Sequence, residues 1–230
     1  MHRPLALLLL AAPLLAPAED FSVDPGVGNN SLSAVFDAAL GERINAVSSA
    51  VGCEVSLDAG TGLASGRCSV PLTSIQVDGD RTKSEHFHDW ATNRRSEPGD
   101  CRIEAVFAGV KLGELAPGKA APFTAEIPFA VCGRARADGG REPVTGTAVL
   151  FPPGAYGEKK TVRIRATVAA FDREAYRVGP GFTEGWLARV QKLAKVVAAK
   201  GTIELSLFAK SKQPSRSSQT QSNQPQEEEP

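Results

Sequence analysis

Apolar and polar side chains alternate with a period of two over much of the chain. Between residues 161 and 170, Val162, Ile164, Ala166, Val168 and Ala170 take every second position, with Thr161, Arg163, Arg165 and Thr167 between them. Successive side chains of a strand leave opposite faces, so this pattern predicts an antiparallel strand with one face in a core and one in water. Residues 201–210 repeat it, with Ile203, Leu205 and Leu207 inward and Thr202, Glu204 and Ser206 outward. Phe123, Ala125, Ile127, Phe129 and Val131 form a third apolar row in a predicted strand over 122–136. Strand character also covers 21–24, 32–38, 46–57, 66–77, 101–111 and 144–151, giving about eight or nine strands in all.

Helical start signals interrupt the strands twice. Thr82-Lys83-Ser84-Glu85 has the spacing of a capping box and predicts a short helix through about Ala91. Thr183 caps a longer predicted helix ending near Gly201, in which Trp186, Leu187, Val190, Leu193, Val196 and Val197 make one apolar stripe opposite Arg189, Lys192 and Lys195. That stripe is expected to lie over the sheet or an open barrel end. The fold expected from these elements is mainly β: an antiparallel barrel of about eight strands with one short and one longer helix. A barrel of that size can fill its interior with side chains or hold one small ligand. The small inward residues Ala125, Ala148, Ala166 and Ala170 favour remaining space, although a flattened, packed barrel would use the same residues.

Composition narrows the class of partner. Over 230 residues, 26 basic side chains balance 26 acidic ones, which leaves no net field to concentrate a polyanion and argues against nucleic acid. With 22 Gly, 16 Pro and 6% aromatic residues, the chain suits a turn-rich β domain with a core of small aliphatics. Its first residues have the parts of a secretory leader: basic His2 and Arg3, an apolar run over 5–15, and Ala16-Pro17-Ala18 before Glu19. The apolar run is shorter than the ~20 residues that span a bilayer. The expected organisation is a signal peptide over 1–18, a barrel domain over 19–210 and a disordered polar tail over 211–230 that ends in Glu227-Glu228-Glu229-Pro230. The mature chain is expected to have no transmembrane segment and to be periplasmic or secreted.

Export gives the four cysteines a meaning, because disulfides persist in oxidising compartments and no C-x-x-C spacing is present. Three pairings are possible. Opposed residues of a hairpin lie at equal distances from its turn. The midpoint of Cys53 and Cys68 falls in Asp58-Ala59-Gly60-Thr61-Gly62, and that of Cys101 and Cys132 in Leu115-Ala116-Pro117-Gly118. The spacing therefore predicts Cys53 with Cys68 and Cys101 with Cys132, with buried free thiols as the alternative.

Catalytic chemistry has little support. After leader removal only His86 and His88 remain, and two residues apart on a helix they project ~200° from one another, which keeps them off a shared metal. In an extended segment they could share one, with Glu85 and Asp89 as oxygen donors. H-E-x-x-H, G-x-S-x-G and phosphate-binding glycine loops are absent. No enzyme activity and no cofactor are expected.

Several short motifs fall in a familiar order. Phe21-Ser22-Val23-Asp24-Pro25 and Asn30-Ser31 are followed by Val70-Pro71-Leu72-Thr73-Ser74-Ile75, then Lys83, Glu85-His86-Phe87 and Trp90. Val131-Cys132-Gly133-Arg134-Ala135-Arg136 and Asp172-Arg173 with Tyr176 and Val178-Gly179 complete the series. In order and spacing the chain resembles, over roughly residues 20–210, the YceI-like family of exported polyisoprenoid-binding proteins. It departs from that pattern at Lys83-Ser84, where the family usually has Arg-Asp, in the long helix after Thr183 and in its cysteine pairs. The resemblance implies a lipocalin-like barrel whose apolar interior holds a polyisoprenoid or other long-chain lipid. The inward strand faces, taken with that resemblance, make Phe129, Ile164, Ala166, Val168 and Leu205 the expected contacts, with His86, Phe87 and Trp90 near an entrance. The expected function is an exported carrier that sequesters a long apolar ligand. The alternatives are a packed, ligand-free envelope module that binds another protein through its loops, and a hydrolase or metal-dependent enzyme.

Overall fold

The alternating segments become strands that pair almost entirely antiparallel with their neighbours. The computed structural model describes residues 18–212 apart from 25, 28, 94, 95 and 183–196. Its strands are β1 (Glu19–Val23), β2 (Ser31–Ala38), β3 (Arg43–Ser48), β4 (Gly52–Asp58), β5 (Leu63–Pro71), β6 (Gln76–Val77), β7 (Arg102–Lys111), β8 (Ala120–Ile127), β9 (Phe129–Val131), β10 (Glu142–Phe151), β11 (Thr161–Asp172) and β12 (Val197–Ser211). The strand count exceeds the expected eight or nine because three predicted strands are divided. Residues 46–57 turn at 49–51, 66–77 break at a 3-10 turn over Leu72–Ser74, and 122–136 breaks at Pro128, which has no N–H to donate.

The central strand is β12. One edge pairs with β11, placing Ile164 opposite Leu207 and Ala166 opposite Leu205. Its other edge pairs first with β2 and then, from Ala209 onward, with β1. The sheet continues from β2 through β3 to β6, from β1 through β4, β5 and β7 to β9, and from β11 through β10 to β8. All twelve strands thus belong to one curled antiparallel sheet. Among the described residues, β7 meets β8 at an isolated bridge between Leu112 and Phe123, and pairs with β9 from Ile103 to Ala105. No continuous ladder closes the sheet between β7 and β8, where the sequence predicts a closed barrel.

Asn30 holds the branch together. Its side-chain nitrogen donates to the Asp24 carbonyl at 2.8 Å, and its Oδ1 accepts from the Phe208 N–H at 2.7 Å. The backbone of β12 is thereby satisfied where its partner changes from β2 to β1. Lys210 pairs with Asp24 at 2.7 Å beside the same junction and, with the Gly26 N–H, holds the Asp24 carboxyl below the usual carboxylate range.

Four expectations change. The helix α1 (Arg81–Thr92) is capped by Asp80, whose Oδ1 accepts from the Lys83 N–H at 2.9 Å, and not by Thr82. Glu85, the supposed capping-box partner, instead pairs with Arg81 at 2.8 Å. Ala170 is exposed, because a bulge between Val168 and Phe171 reverses the strand's phase and turns Phe171 inward. Residues 197–200 are strand, so no helix reaches Gly201; the rest of that predicted helix, 183–196, lies outside the described residues. Ser211, placed in the tail by sequence, is a buried end of β12. The leader over 1–17 and the tail beyond 212 also lie outside the described residues. Among the described residues no helix is long and apolar enough to cross a membrane.

Both predicted disulfides are present. Cys53 and Cys68 are directly opposed on β4 and β5 with Cα atoms 4.1 Å apart, while Cys101 and Cys132 join the adjoining ends of β7 and β9 at 4.6 Å. Two such staples fit an oxidising, extracytoplasmic environment. Non-reducing peptide mapping is expected to recover these two links alone. Asn30→Ala is expected to lower stability by about 1–3 kcal/mol, because it strands the buried Phe208 N–H; denaturant unfolding at unchanged m-value measures it.

Candidate functional site: an apolar cavity in the curled sheet

Each strand around the interior must keep its apolar side chains facing inward while the sheet bends. On β11, Val162, Ile164, Ala166 and Val168 do this by plain alternation, and Ile203, Leu205 and Leu207 do so on β12. On β7 the rule changes phase: Ile103, Ala105 and Phe107 face in, then Val110 and Leu112. A bulge opposite Ser65 supplies the extra residue, with Gly109 at φ 64 and its N–H donating to Ser65 Oγ at 3.0 Å. Glycine adopts that left-handed backbone without the Cβ penalty.

Glycines also let the sheet turn sharply. Gly66, Gly146 and Gly201 lie opposite Phe107, Phe123 and Phe36 on neighbouring strands. A Cβ on Gly66 would sit 2.9 Å from Phe107 Cζ, and one on Gly146 would sit 2.5 Å from Phe123 Cζ; each would also run into a backbone carbonyl of the other neighbouring strand. The aromatic ring covers the place of the missing side chain, so the backbone can bend there without opening a void.

The result is a cavity of about 110 Å³ lined almost wholly by carbon. Its walls come from β2, β4, β5 and every strand from β7 to β12, together with Val51. At ~10–15 Å³ for a water-sized occupant, it has room for roughly eight small groups. With walls of this kind it cannot satisfy a polar guest; its chemistry is burial of apolar surface.

Phe129, Ile164, Ala166, Val168 and Leu205 all line this cavity, as does Ala148. His86, Phe87 and Trp90 do not. His86 is exposed on α1, while Phe87 and Trp90 are half-buried against the core. The neighbouring His88 places Nε2 3.2 Å from the Ile75 carbonyl. Among the described residues, no three His, Cys, Asp or Glu side chains come together to hold a metal. Sequence reasoning missed the opposite wall, including Val55, Leu57, Ala64, Val70, Phe107 and Val110. The bulge breaks the period across β7; its signal was Gly109, a glycine inside an otherwise regular strand.

A buried polar network anchors one side of the cavity. The Tyr176 hydroxyl donates to Glu142 Oε1 at 2.8 Å, and Arg136 Nη1 pairs with the same oxygen at 2.8 Å; Glu142 is 1% exposed and Tyr176 0%. Arg136 also grips Asp138, which holds that carboxyl well below the usual carboxylate range. The Tyr176 ring stacks on Phe171 at 5.0 Å, and Phe171 meets the cavity residue Phe129 edge-on at 6.2 Å. Arg173 donates to the carbonyls of Val178, Val197 and Ala198 at 2.7, 2.9 and 3.1 Å, which ties the start of β12 to the turn after β11. Its desolvation lowers the guanidinium pKa from its ordinary value. These are the residues of the motif Asp172-Arg173 with Tyr176 and Val178-Gly179, and their role in the structure is to hold the wall.

No protein-family model and no curated protein matches the chain. Among solved structures it is similar to a polyisoprenoid-binding domain from Saccharophagus degradans implicated in plant cell wall breakdown, with 13% identity and a TM-score of 0.54. The match covers 83% of this chain and 98% of that one. The two share a fold. The resemblance carried by the sequence motifs thus holds for the architecture, and the neighbour is described as a binding domain.

Burial, first, and the hydrogen bond to Glu142 push the Tyr176 phenol above its ordinary value of 10.0. A raised folded-state pKa contributes stability that is complete below pH 10.0 and is lost as pH rises further, because the unfolded chain then ionises first. Tyr176→Phe is expected to cost about 1–3 kcal/mol at neutral pH by depriving Glu142 of a donor. The gap between wild type and variant should narrow as denaturant titrations move above pH 10.0.

Proposed function

We propose that the protein is an exported binding protein that takes a long apolar ligand, a polyisoprenoid or similar lipid, into the interior of its sheet, which works as a lipocalin-like barrel. The observation that carries this reading is the carbon-lined cavity bounded by strands from β2 to β12. The shared fold with a polyisoprenoid-binding domain supports it. Affinity would come from area: at ~25 cal/mol per Å², hiding ~300 Å² of prenyl chain supplies roughly 7 kcal/mol before the costs of immobilising it. Such binding needs neither catalytic group nor cofactor.

The proposed contacts are Phe129, Ile164, Ala166, Val168 and Leu205, extended by Phe107, Val110 and Phe123 on the opposite wall. His86, Phe87 and Trp90 are left out of that set because they do not line the cavity. Cleavage after Ala18 and a periplasmic or secreted location complete the reading, in keeping with the leader pattern and the two disulfides. The proposed binding domain runs from Glu19 to Ser211, where β12 ends, with the polar tail following it.

Ala166→Trp tests the proposal. Within a cavity that accepts a ligand, the indole should occupy the ligand's space, so the variant keeps its thermal stability and retains less prenyl lipid after native purification. In a packed, ligand-free module the same change should overpack the core and cost ~1–3 kcal/mol. A wild type that retains no lipid under native extraction and binds none added back would overturn the carrier reading.

A further inference from the structure

We infer that the ligand enters through the wall, between β7 and β8, and not past α1; the inference rests on the carrier reading above. Among the described residues, β7 and β8 are cavity-lining strands that adjoin at a seam without a continuous ladder. Pairing is present at both ends. Val106 N–H donates to the Pro128 carbonyl at 3.4 Å, and Gly113 N–H donates to the Pro122 carbonyl at 2.8 Å. No ladder register joins residues 107–111 to 124–127.

The chain builds this interruption from both sides. Even-numbered positions of β8 turn their backbone polar groups toward β7, as the carbonyls of Pro122 and Pro128 show. At those two positions proline supplies no N–H, so the edge is short of donors where the seam begins and ends. Across from it, the bulge at Gly109 adds one residue to β7 and puts the two strands out of step. The aromatic side chains withdraw as well. Phe107 leans over Gly66 of β5 and Phe123 over Gly146 of β10, each on the side away from the seam. Aliphatic Val110 and Ile127 remain as the cavity residues beside it, and Val106, 44% exposed, gives the outer rim an apolar foothold. An apolar chain passing here would displace little regular hydrogen bonding, whereas passage between any ladder-paired strands would break several bonds at once.

A cross-link across the seam tests this route. Ala108→Cys with Glu126→Cys places two exposed thiols opposite one another by extension of the Ile103–Val131 register. The full-length double variant is compared after oxidation and after carboxamidomethylation, with peptide mapping to verify the links, using anthraniloyl-geranylgeraniol as the fluorescent probe in stopped flow. Oxidation is expected to slow both uptake and release at least tenfold while equilibrium affinity stays within twofold. Equal rates in the two forms, with wild-type protein binding the probe, would overturn the lateral route and leave the carrier reading standing. Failure of the wild type to bind overturns the carrier reading, and the route falls with it. Amide hydrogen exchange on the unmodified protein is a second readout: Glu126, on the β7-facing edge, should exchange at least tenfold faster than Ala125 and Ile127, which face β10. Equal protection of the three would mean a closed seam.

Discussion

Keeping one face of a strongly bent sheet apolar all the way around an enclosed space is the constraint on which the rest of this structure depends. A strand that slips by one residue turns its whole apolar set outward. Bending a sheet tightly enough to enclose a space adds residues on some strands and crowds backbone on others. The structure meets both demands locally. The bulges at Gly109 and after Val168 absorb extra residues and restore the inward phase on their far sides. Gly66, Gly146 and Gly201 take the crowded positions, each covered by a phenylalanine from the adjacent strand.

Specific links between elements lie at the margins of the interior space. Cys53–Cys68 staples the β4–β5 wall beside the cavity, and Cys101–Cys132 joins the adjoining ends of β7 and β9 next to their ladder. Asn30 satisfies β12 at its branch, and Arg173 ties the same strand's start to the turn after β11. In the network of Tyr176, Glu142 and Arg136, the hydroxyl and the carboxylate are buried and satisfied, and the Tyr176 ring stacks on Phe171, which meets the cavity residue Phe129 edge-on. Polar groups therefore shape the wall without entering the space, which remains suited to a guest with nothing to hydrogen-bond.

Such a site selects by shape and apolarity. The likeness to a solved binding domain speaks to architecture, and the carbon lining to the side chains of this chain. The surroundings of α1 differ in kind. Asp80, Ser84 and Lys83 with Asp78 bind the helix to neighbouring backbone and side chains, and His88 meets the Ile75 carbonyl, so that the most conspicuous polar motif of the sequence serves to seat a helix.

By itself the sequence determined the mainly β class, the inward rows on β11 and β12, both disulfide pairings, and five of the cavity's lining residues. The class, the rows and the pairings follow from short-range rules, a period of two along a strand and equal distances from a turn; the choice of those five residues drew on the family resemblance as well. Tertiary structure decided the rest. Whether Ala170 or Phe171 faced inward depended on a bulge set by pairing with β12, and the wall formed by β5 and β7 depended on another at Gly109. The start of α1 moved to Asp80 because Ser84 and Lys83 found partners in the preceding strand and turn. His86, Phe87 and Trp90 read as one cluster along the chain, yet the helix they share packs over the 72–74 turn, away from the cavity lining. Local pattern fixes which face of an element is apolar; where that face comes to lie depends on register, and register is a property of two strands together.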